Sequence, residues 1–398
     1  MKKIAYIELD THAEIALNFM ELIQDSKAFS VDYYFSEKIL RFFGFAQNDK
    51  LPENIFKAKP ENLIQQLSTN NYQLVIIGTV HRYFNVFEKV AEQFNTSIIC
   101  HNLNFVKASN LNLLSSIFKE DFQFRLKLLL KEGLLRKSKV YQKAKNLLVL
   151  DRGFENFVRK PLVYAQSDKY KFLPIFYTKF LEKPKNETYT IVIPGAVSQK
   201  RRDYKKTIKE LKKLELNFNE GEFRRACPEI SGNETFVGNT LSEKGSSVGT
   251  TQNLEIIFLG KAQGKELEIL QNFEQSKPEN ISIKYFTEKV PQDVFDNFMQ
   301  KADVLWCPIQ QETEFFSQKE IYGFTKMSGN IGDAIKYGKL PVFPKAYNEN
   351  YNFIAPEMLL FEKGIEIKKY QEKIDDYFSE FSKEKVLQEL EKTIFALL

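Results

Sequence analysis

Hydrophobic and polar positions alternate along this chain in two successive sets. In the first half, the apolar runs KIAYIEL (residues 3–9), 31–35, YQLVIIG (72–78), TSIIC (96–100) and NLLVL (146–150) each read as a buried strand. Between them the spacing turns helical. Residues 12–24 put Ala13, Ala16, Leu17, Met20 and Ile23 on one face, 62–67 is a short helix, and Phe84, Phe87, Ala91 and Phe94 mark another. Residues 122–145 predict a long basic helical region. Strands that alternate with helices predict βαβ units and a parallel sheet.

Residues 157–185 lack a clear period and are punctuated by Pro161, Pro174 and Pro184, which places a linker there. The alternation then resumes with strands at TYTIVIPG (188–195), LEIIFLG (254–260), ISIKYF (281–286), ADVLWCPI (302–309), LPVF (340–343) and MLLFE (358–362). Helices are expected at 204–214, near 265–273, at 292–301 and near 331–337. A final amphipathic run, 368–398, has Phe378, Phe381, Val386, Leu390 and Ile394 among its apolar positions. The expected division is an N-terminal Rossmann-like domain over 1–160, a linker over 161–186, a second Rossmann-like domain over 187–380, and a C-terminal helix over 381–398. Residues 221–252 are rich in Gly, Ser, Thr, Asn and Glu and read as an inserted loop. Such a stretch buries too little apolar surface to offset its ordering entropy.

Composition narrows the picture. With 398 residues, 43% hydrophobic and 27% charged, the chain reads as a soluble globular protein of two domains. Its 36 Phe and 18 Tyr accompany abundant Lys and Asn, a compositional bias and not a binding device. The net charge of +5 is dispersed over many Lys and Glu, so no nucleic-acid footprint is implied. Cys100, Cys227 and Cys307 lie far apart without a CxxC spacing, which points to a reducing cytoplasm. The opening MKKIAYIELD lacks the apolar core of a signal peptide, and no run approaches the ~18 apolar residues of a spanning helix.

The stretch EIYGFTKMSGNIGDAIKYGKLP (320–341) follows the strand ADVLWCPI and enters a helix. Gly323, Gly329 and Gly332 let backbone approach a ligand. Ser328 lies in this loop, and the N-terminus of a helix near Ile331–Tyr337 offers unpaired N–H groups and a positive dipole end, Lys326 adds a cation, and Asp333 accepts from hydroxyl groups. The bland alternative is a helix that starts after a glycine-containing loop, with Asp333 merely suiting the dipole. IVIPGAVSQKRRDY repeats the logic: a strand ends at Gly195, Ser198 follows, and Lys200, Arg201 and Arg202 precede a helix. Two cationic strand-to-helix loops facing one crevice suit a diphosphate. A solvated basic turn is the alternative.

All three histidines, His12, His81 and His101, directly follow strands of the first half. Ligands of parallel α/β sheets bind outside the carboxyl ends of strands, so the three are expected on one face. They read as ligand-site residues or as plain polar loop residues. A zinc site is the sharper rival, but no short-spaced His pair supports it and no DxD triplet is present. Residues 125–145 mix Lys127, Lys131, Arg136, Lys137, Lys139, Lys143 and Lys145 with leucines. They read either as an ordinary helix with a solvated face or as a peripheral contact with an anionic membrane through 122–145.

Two Rossmann-like halves with a phosphate-type site in the second resemble a GT-B glycosyltransferase. The details are most similar to the retaining, nucleotide-sugar-dependent group with a Glu-x7-Glu motif. Gly195 with Lys200 and Arg201 resembles its glycine and basic pair, residues 302–308 its apolar strand ending in Pro, and Glu320, Tyr322-Gly323 and Asp333-Ala334 its acid, aromatic-Gly and second acid. Residues 338–342 resemble its G-x-P-V with one extra residue, and His101 its histidine after a first-domain strand. The departures are that Glu320 and Asp333 stand thirteen positions apart, that the second acid is Asp, and that the insert 221–252 has no counterpart.

The resemblance implies two Rossmann-like domains facing across a cleft, with the C-terminal helix crossing back. It implies metal-independent transfer of a sugar from a nucleoside-diphosphate sugar to a glycan or lipid-linked acceptor, without a further cofactor, as in bacterial polysaccharide pathways. Nucleotide-sugar binding would fall to Gly195, Ser198, Lys200, Arg201, Tyr322, Gly323, Lys326, Ser328, Gly329 and Asp333. Glu320, His101 and His12 would be catalytic, with Asp10 a second base candidate. Rival readings are a nucleotide-sugar epimerase and a degenerate binding subunit.

Overall fold

The apolar runs of the first half form seven strands: β1 (Lys2–Glu8), β2 (Phe29–Phe35), β3 (Ile55–Lys57), β4 (Leu74–Ile77), β5 (Thr96–Ile99), β6 (Asn146–Val149) and β7 (Tyr170–Phe172). In the computed structural model they make one sheet in the order β3-β2-β1-β4-β5-β6-β7, every pairing parallel. The structure describes residues 1–45, 50–117, 119, 121–154, 167–180, 188–218, 254–345, 347, 351–357, 360, 374 and 377–398. The period of two sorts each strand between two cores. Ala5, Ile7, Val75 and Ile77 face one, and Ile4, Tyr6, Leu74 and Ile76 face the other.

The second sheet comprises β8 (Tyr189–Pro194), β9 (Leu254–Lys261), β10 (Ile281–Phe286), β11 (Val304–Trp306), β14 (Leu340–Phe343) and β15 (Ala355–Pro356), ordered β10-β9-β8-β11-β14-β15 and again parallel. Both sheets reverse their winding beside their first strand, between β1 and β4 and between β8 and β11. In open α/β sheets that switch point opens a crevice at the strands' carboxyl ends.

Several expectations are revised. The region 122–145 is not one helix but Phe122–Leu130, a 3-10 turn Leu134–Arg136 and Lys137–Lys143, broken where Gly133 takes φ 75°. Within the presumed linker, Tyr170–Phe172 adds the seventh strand, while Leu173 and Ile175 join the first domain's core. Between β11 and the following helix lies an antiparallel hairpin, β12 (Glu312–Phe315) and β13 (Gln318–Ile321), that the hydrophobic pattern did not announce. Its turn residues Phe316 and Ser317 both have positive φ, the twist a two-residue hairpin turn demands. The insert 221–252 lies outside the described residues, as does 358–362 apart from Leu360.

The helix Lys383–Leu397 begins at Ser382, whose side chain accepts from the Lys385 N–H. Val386, Leu390, Ile394 and Leu397 form one face and enter the first domain's core beside Ile4 and Phe19. Among the described residues no helix is long and apolar enough to cross a membrane.

Candidate functional site

The two sheets turn their carboxyl edges toward a shared cleft of about 1540 Å³. One wall carries Thr11, His12, His81, His101 and Asn102, and the other Arg201, Lys326, Gly329, Gly332 and Asp333.

The histidine wall is built from the strand ends upward. Glu8, last residue of β1, is fully buried. Its carboxylate accepts the Asp10 and Thr11 N–H groups at 3.0 and 3.2 Å and the Thr79 hydroxyl at 2.7 Å. That clamp folds the strand end back and leaves His12 in the left-handed region at φ 60°. Gly78 makes room for it, because a Cβ there would lie 2.6 Å from Glu8 Oε2. Burial pushes the Glu8 carboxyl up to about 8, against the hydrogen bonds from Thr79 and the two backbone amides.

His12 and His101 stack with ring centroids 3.7 Å apart at 15°, and His81 stands about edge-on at 6.0 and 6.1 Å. His101 Nε2 lies 2.8 Å from the Gly78 carbonyl oxygen. A carbonyl only accepts, so Nε2 carries the proton and Nδ1 of the neutral ring is left as an acceptor. Burial lowers all three imidazoles, and the Lys326 charge lowers them further. For His101 the result is about 4, with the Gly78 hydrogen bond opposing. The trio is therefore neutral near pH 7. Among the described residues no group of His, Cys, Asp or Glu is arranged to hold a metal ion. The face-to-face stack of His12 on His101 shows why these rings do not converge on one.

The opposite wall is a helix N-terminus. Ser328 caps the helix Gly329–Tyr337 by accepting the Asn330 N–H on its hydroxyl, at 3.3 Å. Lys326 is lowered by burial and by Arg201, with Glu320 opposing. Two cations thus repel each other beside the positive end of a helix, an arrangement that favours an anion between them. Asp333, just past the first turn of that helix, is pushed up to about 6 by burial, with the Asn330 side chain (3.2 Å) opposing.

The structure gathers only part of the predicted set. His12, His101, Arg201, Lys326, Gly329 and Asp333 line the cleft; Gly195, Ser198, Lys200, Tyr322, Gly323, Ser328 and Glu320 do not. Lys200 is exposed. Ser328 spends its hydroxyl on the cap, and the Ser198 carbonyl accepts the Arg201 and Arg202 N–H groups. Gly195 (φ 94°) closes over Arg202, whose Nη2 a Cβ would approach to 2.5 Å. Arg202 itself is buried and donates to the Pro194 and Ala196 carbonyls and to Asn330 Oδ1, bracing the two loops against each other.

Glu320 differs most from its expected role. It is fully buried, and its carboxylate accepts the Phe105 N–H at 2.8 Å and the Asn104 N–H at 3.3 Å. It therefore caps the first-domain helix Leu103–Lys107 and does not face the cleft. The same hairpin sends Phe315 across to His81, ring centroids 4.5 Å apart. Glu8, Asn102 and Phe315 escaped the sequence reading. The one available signal was an acid closing the apolar run IAYIEL, for Glu8.

No protein-family profile matches the chain, and no curated protein matches it in sequence. Solved structures do match over nearly its whole length. They include the N-terminal domain of trehalose-6-phosphate phosphatase from Candida albicans (TM-score 0.57, 7% identity, 100% of this chain and 97% of that one). Another is α,α-trehalose 6-phosphate synthase from Burkholderia multivorans (0.54, 7%, 100% and 98%). A third is UDP-GlcNAc 2-epimerase from Neisseria meningitidis bound to UDP-GlcNAc (0.52, 12%, 99% and 100%). The chain thus has the GT-B fold, two Rossmann-like α/β domains facing across a cleft.

Proposed function

We propose that this protein is a glycosyltransferase that moves a sugar from a nucleoside-diphosphate sugar to a hydroxyl-bearing glycan or lipid-linked acceptor. The observation that carries the reading is the pairing of Arg201 and Lys326 at a capped helix N-terminus, across one cleft from three neutral histidines. Arg201, Lys326 and the Gly329 amide would hold the diphosphate and stabilise its charge as it leaves. Asp333 would accept from ribose hydroxyls. His12 and His101 would face the acceptor. Side-chain cations supply the charge stabilisation, so the proposed transfer is metal-independent and its rate unchanged by chelator.

Retention of the anomeric configuration is the proposed outcome, from the likeness of residues 302–342 to the retaining group. Glu320 has no part in it, because its carboxylate is committed to Phe105 and Asn104. The cleft, about 1540 Å³, leaves room for donor and acceptor together.

The test is a thermal-shift panel of purified protein against UDP, GDP, ADP, CMP and their common sugars. One nucleoside diphosphate should raise the midpoint, and Lys326→Ala and Arg201→Ala should each abolish that rise. If no nucleotide moves the melt at ~1 mM, a concentration that already detects a weak complex, the transferase reading loses its support. Release of free nucleotide without any acceptor would convert the reading to an epimerase.

A further inference from the structure

The basic region 122–145 divides into two surfaces with different fates. Its C-terminal part is internally committed. Lys137 is buried and donates to three backbone carbonyls, while Arg136 and Lys143 pair with Glu88 at 2.7 and 2.8 Å. Its N-terminal part, together with the preceding helix Asn110–Ile117, carries a different surface. Leu111 and Leu130 are 78% and 72% exposed, and Phe124 and Leu135 42% and 39%. The segments that carry them, Asn110–Ile117, Phe122–Leu130 and Leu134–Arg136, pack on one another, so these exposed side chains share one face region, a mark of an interaction surface.

Charge identifies the occupant. Lys119, Lys127 and Lys131 stand exposed on the same stretch, Lys127 3.8 Å from the buried Glu132, and among the described residues of 110–136 Asp121 is the one exposed acid. Arg125 is not part of this charge, because it is buried and bonds the Ser116 carbonyl and, at 2.8 Å, the Ser317 hydroxyl. An apolar patch ringed by lysines complements a bilayer whose surface is anionic and whose interior is apolar. A protein partner would find one exposed acid, Asp121, against three lysines, little of the acid–base pairing that fixes orientation.

The patch also adjoins the cleft. The Arg82 guanidinium lies 5.9 Å from the Phe124 ring, bonds Glu132 and stands 3.9 Å from Asp10, two residues before His12. The Arg125–Ser317 bond ties the helix Phe122–Leu130 to the hairpin that reaches His81.

We infer that Leu111, Phe124, Leu130 and Leu135, with Lys119, Lys127 and Lys131, form a docking surface for an anionic lipid bilayer, holding the cleft mouth at the membrane. The surface is independent of which sugar, if any, the cleft transfers.

The test is co-sedimentation of the full chain with phosphatidylcholine vesicles and with vesicles of phosphatidylcholine and phosphatidylglycerol. Wild type should pellet with the mixed vesicles and be released as salt rises. The double variant Leu111→Asp/Leu130→Asp should lose binding by ~tenfold or more. Lys119→Glu/Lys131→Glu should lose binding at low salt while leaving the melting midpoint and any nucleotide-induced shift as in wild type. Because all four side chains are exposed, unchanged midpoints separate a lost surface from a misfolded chain. Wild type remaining in the supernatant with mixed vesicles at low salt would overturn the inference. So would equal pelleting of wild type and the leucine variant, or equal binding to neutral vesicles.

Discussion

Glu320 and Lys137 grip the two backbone groups of one residue: Glu320 Oε1 accepts the Phe105 N–H at 2.8 Å, and Lys137 Nζ donates to the Phe105 carbonyl at 2.6 Å. Lys137 goes on to the Val106 and Ala108 carbonyls at 2.9 and 2.7 Å. A five-residue helix cannot satisfy its own ends, so a buried acid takes its first amides and a buried cation its last carbonyls. The acid comes from the second domain and the cation from the first. The helix Leu103–Lys107 is thereby a joint between domains, further held by the Leu103 N–H on the Thr325 carbonyl at 2.9 Å.

Removing either grip should loosen this joint. Glu320→Ala removes the acceptor of the Asn104 and Phe105 amides, and Lys137→Met removes the Lys137 donor from the Val106 and Ala108 carbonyls, while the Phe105 carbonyl keeps the Ala108 N–H at 3.2 Å. Each should cost about 1–3 kcal/mol of stability. A double-mutant cycle by urea denaturation should give a non-zero coupling, since both grips act on Phe105. Strict additivity would show that they do not share one element.

Glu8 predicts a pH dependence with a definite sign. Its folded carboxyl titrates at about 8, above its ordinary 4.5, because burial disfavours the charge. Its contribution to stability is present in full below about 4.5 and is lost as pH rises through about 8. Glu8 by itself should therefore lower the melting midpoint from pH 5 to pH 8, by the equivalent of about 1–3 kcal/mol, while the three lowered histidines act in the opposite sense below about pH 6.5. Glu8→Gln should flatten that fall, and an unchanged pH profile in the variant would remove Glu8 as its source.

Nucleotide binding should weaken at acid pH through Asp333 and not through the histidines. Asp333 titrates at about 6 and must be ionised to accept from ribose hydroxyls, whereas His101 titrates at about 4. Calorimetric affinity for the nucleotide should drop as pH falls through 6. Asp333→Asn should bind about tenfold more weakly at pH 7.5 and show no step there. A step that survives in the variant would belong to another group.

Gly332→Ala separates helix propensity from packing. Propensity alone favours alanine by about 1 kcal/mol. A Cβ at Gly332, however, would meet the Phe176 ring at 2.6 Å. Overpacking of that kind costs about 1–3 kcal/mol, so the net effect should be destabilising. The double variant Gly332→Ala/Phe176→Leu should recover the loss in a thermal melt. A more stable single variant would mean that the Phe176 ring yields freely.

The alternation of apolar runs determined by itself that the chain has two α/β units, because local periodicity and strand burial are written in consecutive residues. It likewise placed His12, His81, His101, Lys326 and Asp333 just beyond strand ends, and a parallel sheet gathers such positions at one edge for topological reasons. Tertiary structure alone decided which charged groups would be spent inside. Glu320 meets Phe105 across 215 positions, and Lys137 meets it across 32. Arg202, one residue from Arg201, is buried in bracing while Arg201 stays on the cleft. Neighbours of the same chemistry are told apart by desolvation and by the partners that packing brings to them. Both arise from contacts far apart in sequence, and no local pattern carries them.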